Sequence, residues 1–246
     1  MNTPNFYAVI IGTEILNGRR SDKHFAFLKE ALEPYGHALY ASLVIKDDAA
    51  LIEATYRMIL ADPDAVLFSF GGIGSTPDDL TRPIAAKVFT DKPLRRHFQF
   101  EQDIIERFGD EARPHRVRMA DLPVGVTLLK NPVNNMSGFS LENRYFFVPG
   151  FPEMAHPMIE AAIKGHFSQP KRLHRRTLIA ETSENTLIDV MKKVPEAIEF
   201  SSLPMLRDGV ARVEISVAGS ETPAVDDAFA LFTDFLHEAE IAFQIT

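Results

Sequence analysis

Apolar runs and amphipathic stretches alternate along the first two thirds of the chain. Phe6 to Ile11 is an unbroken apolar run that stops at Gly12. Ser21 and Asp22 can cap a helix running to about Tyr35, with Phe25, Leu28 and Leu32 on one face and Gly36 as its stop. Leu39 to Ile45 reads as a second strand. Asp47 or Asp48 then opens a helix with Leu51, Ile52, Thr55 and Ile59 facing inward, and Asp62-Pro63-Asp64 ends it. Ala65 to Phe70 is a third strand that runs directly into Gly71-Gly72-Ile73-Gly74. Continuous apolar strands between amphipathic helices specify a parallel sheet covered on both faces.

Further along, the pattern predicts a helix over Pro93 to Phe108, with Phe98, Ile104, Ile105 and Phe108 inward. Strands are expected at Thr127 to Leu129 and Arg144 to Val148, with Asn143-Arg144 as a hairpin turn. A helix follows over Glu153 to Ile163. The rhythm changes near Ser168-Gln169-Pro170, which places domains at residues 1–168 and 171–246. The second part reads as strand Arg175 to Ala180, helix Glu184 to Lys193, strands Ile198 to Ser201 and Val210 to Val217, helix Val225 to His237 and strand Ile241 to Ile245. That order, β-α-β-β-α-β, is a split βαβ unit, a smaller α+β domain.

Composition narrows the function. The chain has 246 residues, 46% apolar and 24% charged, which excludes fibrous and wholly disordered classes. It has no cysteine, so thiolate metal sites, disulfides and a cysteine nucleophile are excluded. No apolar run approaches the ~20 residues of a membrane span. The start, Met1-Asn2-Thr3-Pro4-Asn5, lacks a basic leader, so a cytoplasmic location is expected. A formal net charge of −8 argues against nucleic acid as a partner.

The candidate chemistry lies where such sheets bind ligands, beyond the carboxyl ends of the strands. The first loop carries Gly12-Thr13-Glu14-Ile15-Leu16-Asn17-Gly18, the second Asp47-Asp48, and the third Gly71 to Thr81. Glu14, Asp47, Asp78 and Asp79 are therefore expected to converge on one edge. Asp47 or Asp48 taken alone reads better as a helix cap. Gly71, Gly72 and Gly74 let backbone N–H groups approach an anion, and Ser75 and Thr76 add hydroxyls. No Gly-Lys-Ser/Thr follows, so this is not a P-loop, and Pro77 stands where a dinucleotide fingerprint has its third glycine. Two aspartates beside a phosphate cradle make sense with a hard divalent cation between them.

Gly71-Gly72-Ile73-Gly74-Ser75-Thr76-Pro77-Asp78-Asp79-Leu80-Thr81 resembles the Gly-Gly-Leu-Gly-Pro-Thr-x-Asp-Asp-Leu-Thr signature of the MoaB/Mog, or molybdopterin-binding, domain family, and within it the competence/damage-inducible CinA branch. The Gly12 to Gly18 segment, Ile45-Lys46-Asp47 and Val148-Pro149-Gly150-Phe151-Pro152-Glu153-Met154 resemble three further motifs of that branch, in the same order. Ser75 stands in place of a proline, and Asn134, Met136 and Ser137 replace Gly, Ala and Pro in the loop from Asn131 to Phe139. Residues after Arg176 resemble the small KH-like middle domain of CinA. Nothing here matches the C-terminal nicotinamide-mononucleotide deamidase domain of such proteins, and deamidase activity is not expected.

The resemblance implies a three-layer α/β domain with a parallel or mixed sheet. It implies phosphoanhydride chemistry, as a Mg²⁺-dependent (or Mn²⁺- or Co²⁺-dependent) nucleotide pyrophosphatase of the ADP-ribose type. The alternatives are adenylylation of a pterin in molybdenum cofactor synthesis and ligand binding without turnover. Asp78 would orient or deprotonate water, while Glu14, Asp47 and Asp79 hold the cation. Gly72, Gly74, Ser75 and Thr76 would take phosphate oxygens, and Asn131 and Gly138 the rest of the ligand. Gly12, Asn17, Gly71, Thr81, Pro149, Gly150 and Glu153 belong to the matched motifs and are expected at the ligand. The partners implied are a nucleotide or pterin and further copies of the chain, as a dimer or trimer. Lys171-Arg172-Leu173-His174-Arg175-Arg176 reads as a solvated linker or strand start, and His156 as a packed histidine.

Overall fold

A computed structural model describes residues 4–168, 173–207 and 209–246, with Arg207 described by its backbone alone. Gln169 and Pro170 of the expected boundary, Lys171 and Arg172 of the basic cluster, and Met1 to Thr3 lie outside the described residues. The chain divides into two compact units, Met1–Gln169 and Pro170–Thr246.

In the first unit the strands are β1 (Asn5–Ile11), β2 (Leu39–Ile45), β3 (Ala65–Phe70), β4 (Arg95–Arg96), β5 (Asp121–Leu122), β6 (Thr127–Leu129), β7 (Gly138–Leu141) and β8 (Tyr145–Val148). The helices are α1 (Thr13–Leu16), α2 (His24–Leu32), α3 (Ala49–Leu60), α4 (Thr81–Ala85), α5 (Phe98–Phe108) and α6 (Pro152–His166). One six-stranded sheet runs β2-β1-β3-β8-β7-β6. Its first four strands are mutually parallel; β7 runs antiparallel to β8, and β6 runs antiparallel to β7. The sheet is mixed rather than all-parallel because β7 and β8 are joined by a hairpin too short for a crossover. Glu142 and Asn143 form its turn, at φ 54° and 53°, one residue earlier than the expected Asn143-Arg144.

Alternation along β1 builds two cores, one on each face. Phe6, Ala8 and Ile10 pack with Leu28 and Leu32 of α2 and with Ala155, Met158, Ile159, Ala162 and Ile163 of α6. Tyr7, Val9 and Ile11 pack with Ile52, Tyr56 and Ile59 of α3 and with Phe100 and Ile104 of α5. Helices on both faces of a sheet make three layers. Asp48, not Asp47, caps α3, its Oδ1 accepting from the Leu51 N–H at 2.8 Å.

Three inward assignments are corrected. Phe25 is 44% exposed, under the Lys29 ammonium, and Leu51 is 42% exposed in the first turn of α3. Phe98 is 75% exposed because α5 starts there rather than at Pro93. Arg95 and Arg96 pair with β5 instead, and the inward phase of α5 runs through Phe100 and Ile104.

The second unit contains β9 (His174–Ala180), α7 (Glu184–Met191), β10 (Glu199–Arg207), β11 (Val210–Gly219), α8 (Thr222–Glu238) and β12 (Phe243–Ile245). Its strands are all antiparallel in the order β10-β11-β9-β12, which is the split βαβ arrangement. Leu178, Val213, Ile215 and Val217 pack under Leu187, Phe229, Phe232 and Leu236. Arg175 pairs with Glu199 at 2.6 Å and Arg176 with Asp226 at 2.9 Å, so these members of the basic cluster are strand residues with acidic partners. Among the described residues no helix is long and apolar enough to cross a membrane.

Candidate functional site

The loops at the carboxyl ends of β1, β2, β3 and β8 meet at one edge of the sheet. Asp47 ties the first two together. Its Oδ2 accepts from the Thr13 N–H and the Thr13 hydroxyl, both at 2.8 Å. Gly12 donates to the Ile45 carbonyl at 3.0 Å, closing the same seam. Gly71 joins the third loop to the fourth by donating to the Val148 carbonyl at 2.9 Å. Gly71 has φ 100°, and a Cβ there would stand 2.5 Å from the Ile11 carbonyl oxygen, so only glycine fits between the two strands. A Cβ built on Gly150 would lie 3.5 Å from the Gly71 Cα, which brings the Pro149-Gly150 turn against the glycine loop.

The glycine loop is closed by its own acid. The Asp79 carboxylate accepts from the Gly74 N–H at 2.8 Å, the Thr76 N–H at 2.7 Å and the Thr76 hydroxyl at 2.6 Å. Two backbone amides and a hydroxyl aimed at one carboxylate make an oxyanion cradle. Thr81 is fully buried; it donates its hydroxyl to the Gly71 carbonyl at 2.9 Å and its N–H to the Gly72 carbonyl at 3.0 Å. Thr81 therefore holds the loop's base and does not face a ligand. Ser75 is half-buried and Asp78 exposed on the loop. The Thr76 side chain and its own amide keep the Asp78 carboxyl below the usual aspartate range.

The four acids do not form a ready cation cage. Asp47 and Asp79 are engaged as described, and Glu14 has its Oε1 3.9 Å from Arg20 Nη1. Among the described residues no three histidine, aspartate or glutamate side chains come together so as to hold a metal ion. As placed here, Glu14, Asp47, Asp78 and Asp79 do not make a preformed, protein-only site for a divalent cation.

Two more expected ligand contacts are internal. Asn131 is 1% exposed; its side chain donates to Asn134 Oδ1 at 2.7 Å and the Met136 carbonyl at 3.1 Å, and accepts from the Val133 N–H at 3.0 Å. The Asn134 side chain accepts from the Met136 N–H at 3.0 Å and contacts the Met154 sulfur of α6, also at 3.0 Å. The asparagines that depart from the family pattern thus build a self-bonded loop. Gly138 is buried in β7, where a Cβ would lie 2.6 Å from the Phe147 carbonyl oxygen, so its small size serves strand pairing. Asn17 is exposed and accepts from the Arg19 backbone and side chain at 3.2 and 3.3 Å. Glu153 is exposed in the first turn of α6.

Sequence reasoning missed Arg82. It is 7% exposed, and its guanidinium donates to the carbonyls of Gly74, Arg118 and Asp121. Burial lowers its pKa, while the charges of Asp79 and Asp121 push it back up. Its signal was an arginine set among Leu80, Ile84 and Ala85, the apolar face of α4. His24 was also missed. Its Nδ1 lies 3.2 Å from His156 Nε2, and its ring stacks on Phe70 at 4.1 Å. Burial, reinforced by His156, pulls His24 down to about 4, against the opposing pull of Asp22, the Gly150 backbone and Glu153. His156 stacks on Phe27 at 3.7 Å and is a packed histidine.

A mixed sheet covered by helices on both faces, with a self-bonded glycine loop after its third strand, defines a three-layer α/β domain. The family described as "probable molybdopterin binding domain" matches residues 7–169, and the chain belongs to it. Within that family it is similar to a CinA-like protein of Nostoc punctiforme, at 26% identity over 237 residues, 90% of this chain and 56% of the relative. A CinA-like protein of Syntrophotalea carbinolica is 31% identical over 210 residues, 82% of this chain and 49% of the relative. The chain thus spans about half the length of these curated relatives. The crystal structure of the protein CinA with unknown function from Thermoplasma acidophilum, 27% identical, covers 67% of this chain and 99% of its own with a TM-score of 0.60.

Proposed function

We propose that the first unit binds a pyrophosphate-linked nucleotide or pterin above the glycine loop and hydrolyses the phosphoanhydride bond of nucleotides of the ADP-ribose type. The observation that carries this reading is the triple donation by Gly74 and Thr76 to the Asp79 carboxylate, at 2.6 to 2.8 Å. A phosphate oxygen asks for the same donors and carries more charge than a carboxylate. The ligand reaches them by displacing the half-buried Asp79 side chain from these donors. Asp78, exposed beside the cradle and anionic at neutral pH, is the group available to orient the attacking water and accept its proton. The MoaB/Mog and CinA resemblance supports the substrate class and a homo-oligomer, dimer or trimer.

The test is release of AMP from ADP-ribose, FAD, NAD and ATP, each with Mg²⁺, Mn²⁺, Co²⁺ or chelator, alongside calorimetric binding of the same compounds. AMP from ADP-ribose, lost in Asp78→Asn with the fold intact, is the expected result. Binding without turnover reduces the reading to a ligand-binding protein. That second reading is favoured by the Asn131–Asn134 network, which fills its loop with side-chain amides. ATP consumed only in the presence of molybdopterin selects the adenylyl-transfer alternative, and absence of binding by every compound refutes all three.

A further inference from the structure

An exposed aromatic ring follows the turn that packs against the base of the glycine loop. Phe151 follows Pro149-Gly150, the turn that lies against Gly71, and it is 50% exposed. It occupies the N-cap of α6 without a side-chain hydrogen bond to the helix. That position favours a side chain with an oxygen acceptor, which phenylalanine lacks. Half of the residue's surface is also left exposed. The fold therefore gains little from an aromatic ring here by either route.

A second group faces the ring. The Arg20 guanidinium carbon is 5.4 Å from the Phe151 ring centroid. Arg20 comes from the loop after β1, where its N–H donates to the Glu14 carbonyl at 3.0 Å. Leu16 on the same loop is 50% exposed. A planar cation and a planar ring, carried by two different loops, thus stand together next to the turn whose Gly150 packs on Gly71.

We propose that Phe151 and Arg20 form the stacking subsite for the planar heteroaromatic ring of the ligand, a nucleobase or a pterin, whose phosphates lie at the glycine loop. The proposal rests on the ligand class proposed above and adds the residues that recognise its ring. Aromatic faces stack on bases of any sequence, and guanidinium planes stack in the same way. Arg20 is exposed and paired with Glu14 only at 3.9 Å, so a ring entering between it and Phe151 displaces it from Phe151 and leaves it over the ring's second face.

The chain contains no tryptophan, so Phe151→Trp installs a single fluorescent reporter at the subsite. Titration with ADP-ribose is expected to quench it, and inorganic pyrophosphate is expected to bind without quenching. In Phe151→Ala the Kd for ADP-ribose should rise about tenfold while that for pyrophosphate stays unchanged. If the wild-type chain binds ADP-ribose and Phe151→Ala binds it equally well, the subsite is wrong and the cradle reading stands. If Phe151→Ala weakens pyrophosphate as much as ADP-ribose, the ring acts on the loop and not on a base, and the proposal is overturned. If the wild-type chain binds neither probe, the cradle reading itself has failed and the subsite falls with it.

Discussion

Replacing Asp79 with asparagine tests whether the glycine loop is held by a charge. Asp79 Oδ1 takes the Gly74 N–H at 2.8 Å, and Oδ2 takes the Thr76 N–H and hydroxyl at 2.7 and 2.6 Å. Asparagine keeps one acceptor oxygen and turns an NH₂ toward the remaining donors. At least one backbone N–H loses its partner, and the others lose charge assistance. A hydrogen bond to a charged group contributes about 1.5–3 kcal/mol, and the half-exposed loop lets water recover part of that. The net cost is about 2 kcal/mol, with a further contribution from Arg82, whose buried guanidinium faces the Asp79 charge. For a unit of this size, Tm should fall by roughly 4–8 °C. Circular dichroism melting gives the shift, and amide hydrogen exchange at Gly74 and Thr76 locates it. A Tm within about 1 °C of wild type, with unchanged exchange at both amides, would refute the claim that this carboxylate organises the loop.

Three other outcomes are expected. Gly71→Ala places a Cβ 2.5 Å from the Ile11 carbonyl oxygen at φ 100°, whereas Gly18→Ala, at φ 77°, meets nothing within 4 Å. The first should cost more than about 3 kcal/mol in urea unfolding and the second about 1, and equal costs would show that dihedral strain alone matters. His24 is held at about 4 against an ordinary 6.5, so the unfolded chain takes up a proton in a range where the folded chain does not. Its contribution is complete above pH 6.5 and is lost as pH falls from 6.5 toward 4, by up to about 3 kcal/mol. Unfolding of His24→Gln between pH 7 and 4.5 should show a correspondingly weaker pH dependence than wild type, and parallel curves would exclude His24 as the source. Arg82→Met should destabilise the unit by about 2–3 kcal/mol, because three carbonyls lose a charged donor, with Arg82→Lys recovering part of that in thermal melts.

The fold was legible where periodicity and punctuation agreed. Leu39 to Ile45 and Ala65 to Phe70 are strands at the expected residues, because each is an apolar run closed by a polar or glycine residue. The start of α5 was not legible, since nothing local shows that Arg95 and Arg96 pair with Asp121 and Leu122. Phe98 was misjudged for the same reason, its apolar character giving no hint that the helix begins on it. At the site, the sequence showed which residue types gather at the sheet edge. It did not show which of them bond to one another. Asp47 and Asp79 have the same composition signature as metal ligands, but the first closes on Thr13 and the second on Gly74 and Thr76. Asn134 stands where the family pattern has glycine, and in the fold its amide is part of the loop's own hydrogen bonding.

These bonds change how the edge of the sheet must work. Asp47 fastens the β1 loop to the β2 loop, Gly71 fastens the β3 loop to β8, and Arg82 fastens Gly74 to the segment at Arg118 and Asp121. Four loops tied in this way are ordered before any ligand arrives, so binding bears little of the entropy of arranging them. The same arrangement sets a competition. The donors of Gly74 and Thr76 already have a carboxylate, so a phosphate contributes only the difference between its interaction with them and that of Asp79. A single phosphate offers little advantage over an intramolecular acid held at 2.6 to 2.8 Å. A pyrophosphate carries a second phosphoryl group, and an attached ring can stack on Phe151, so each adds interaction that the carboxylate cannot supply. The cradle should therefore discriminate against inorganic phosphate in favour of large, ring-bearing phosphoanhydrides.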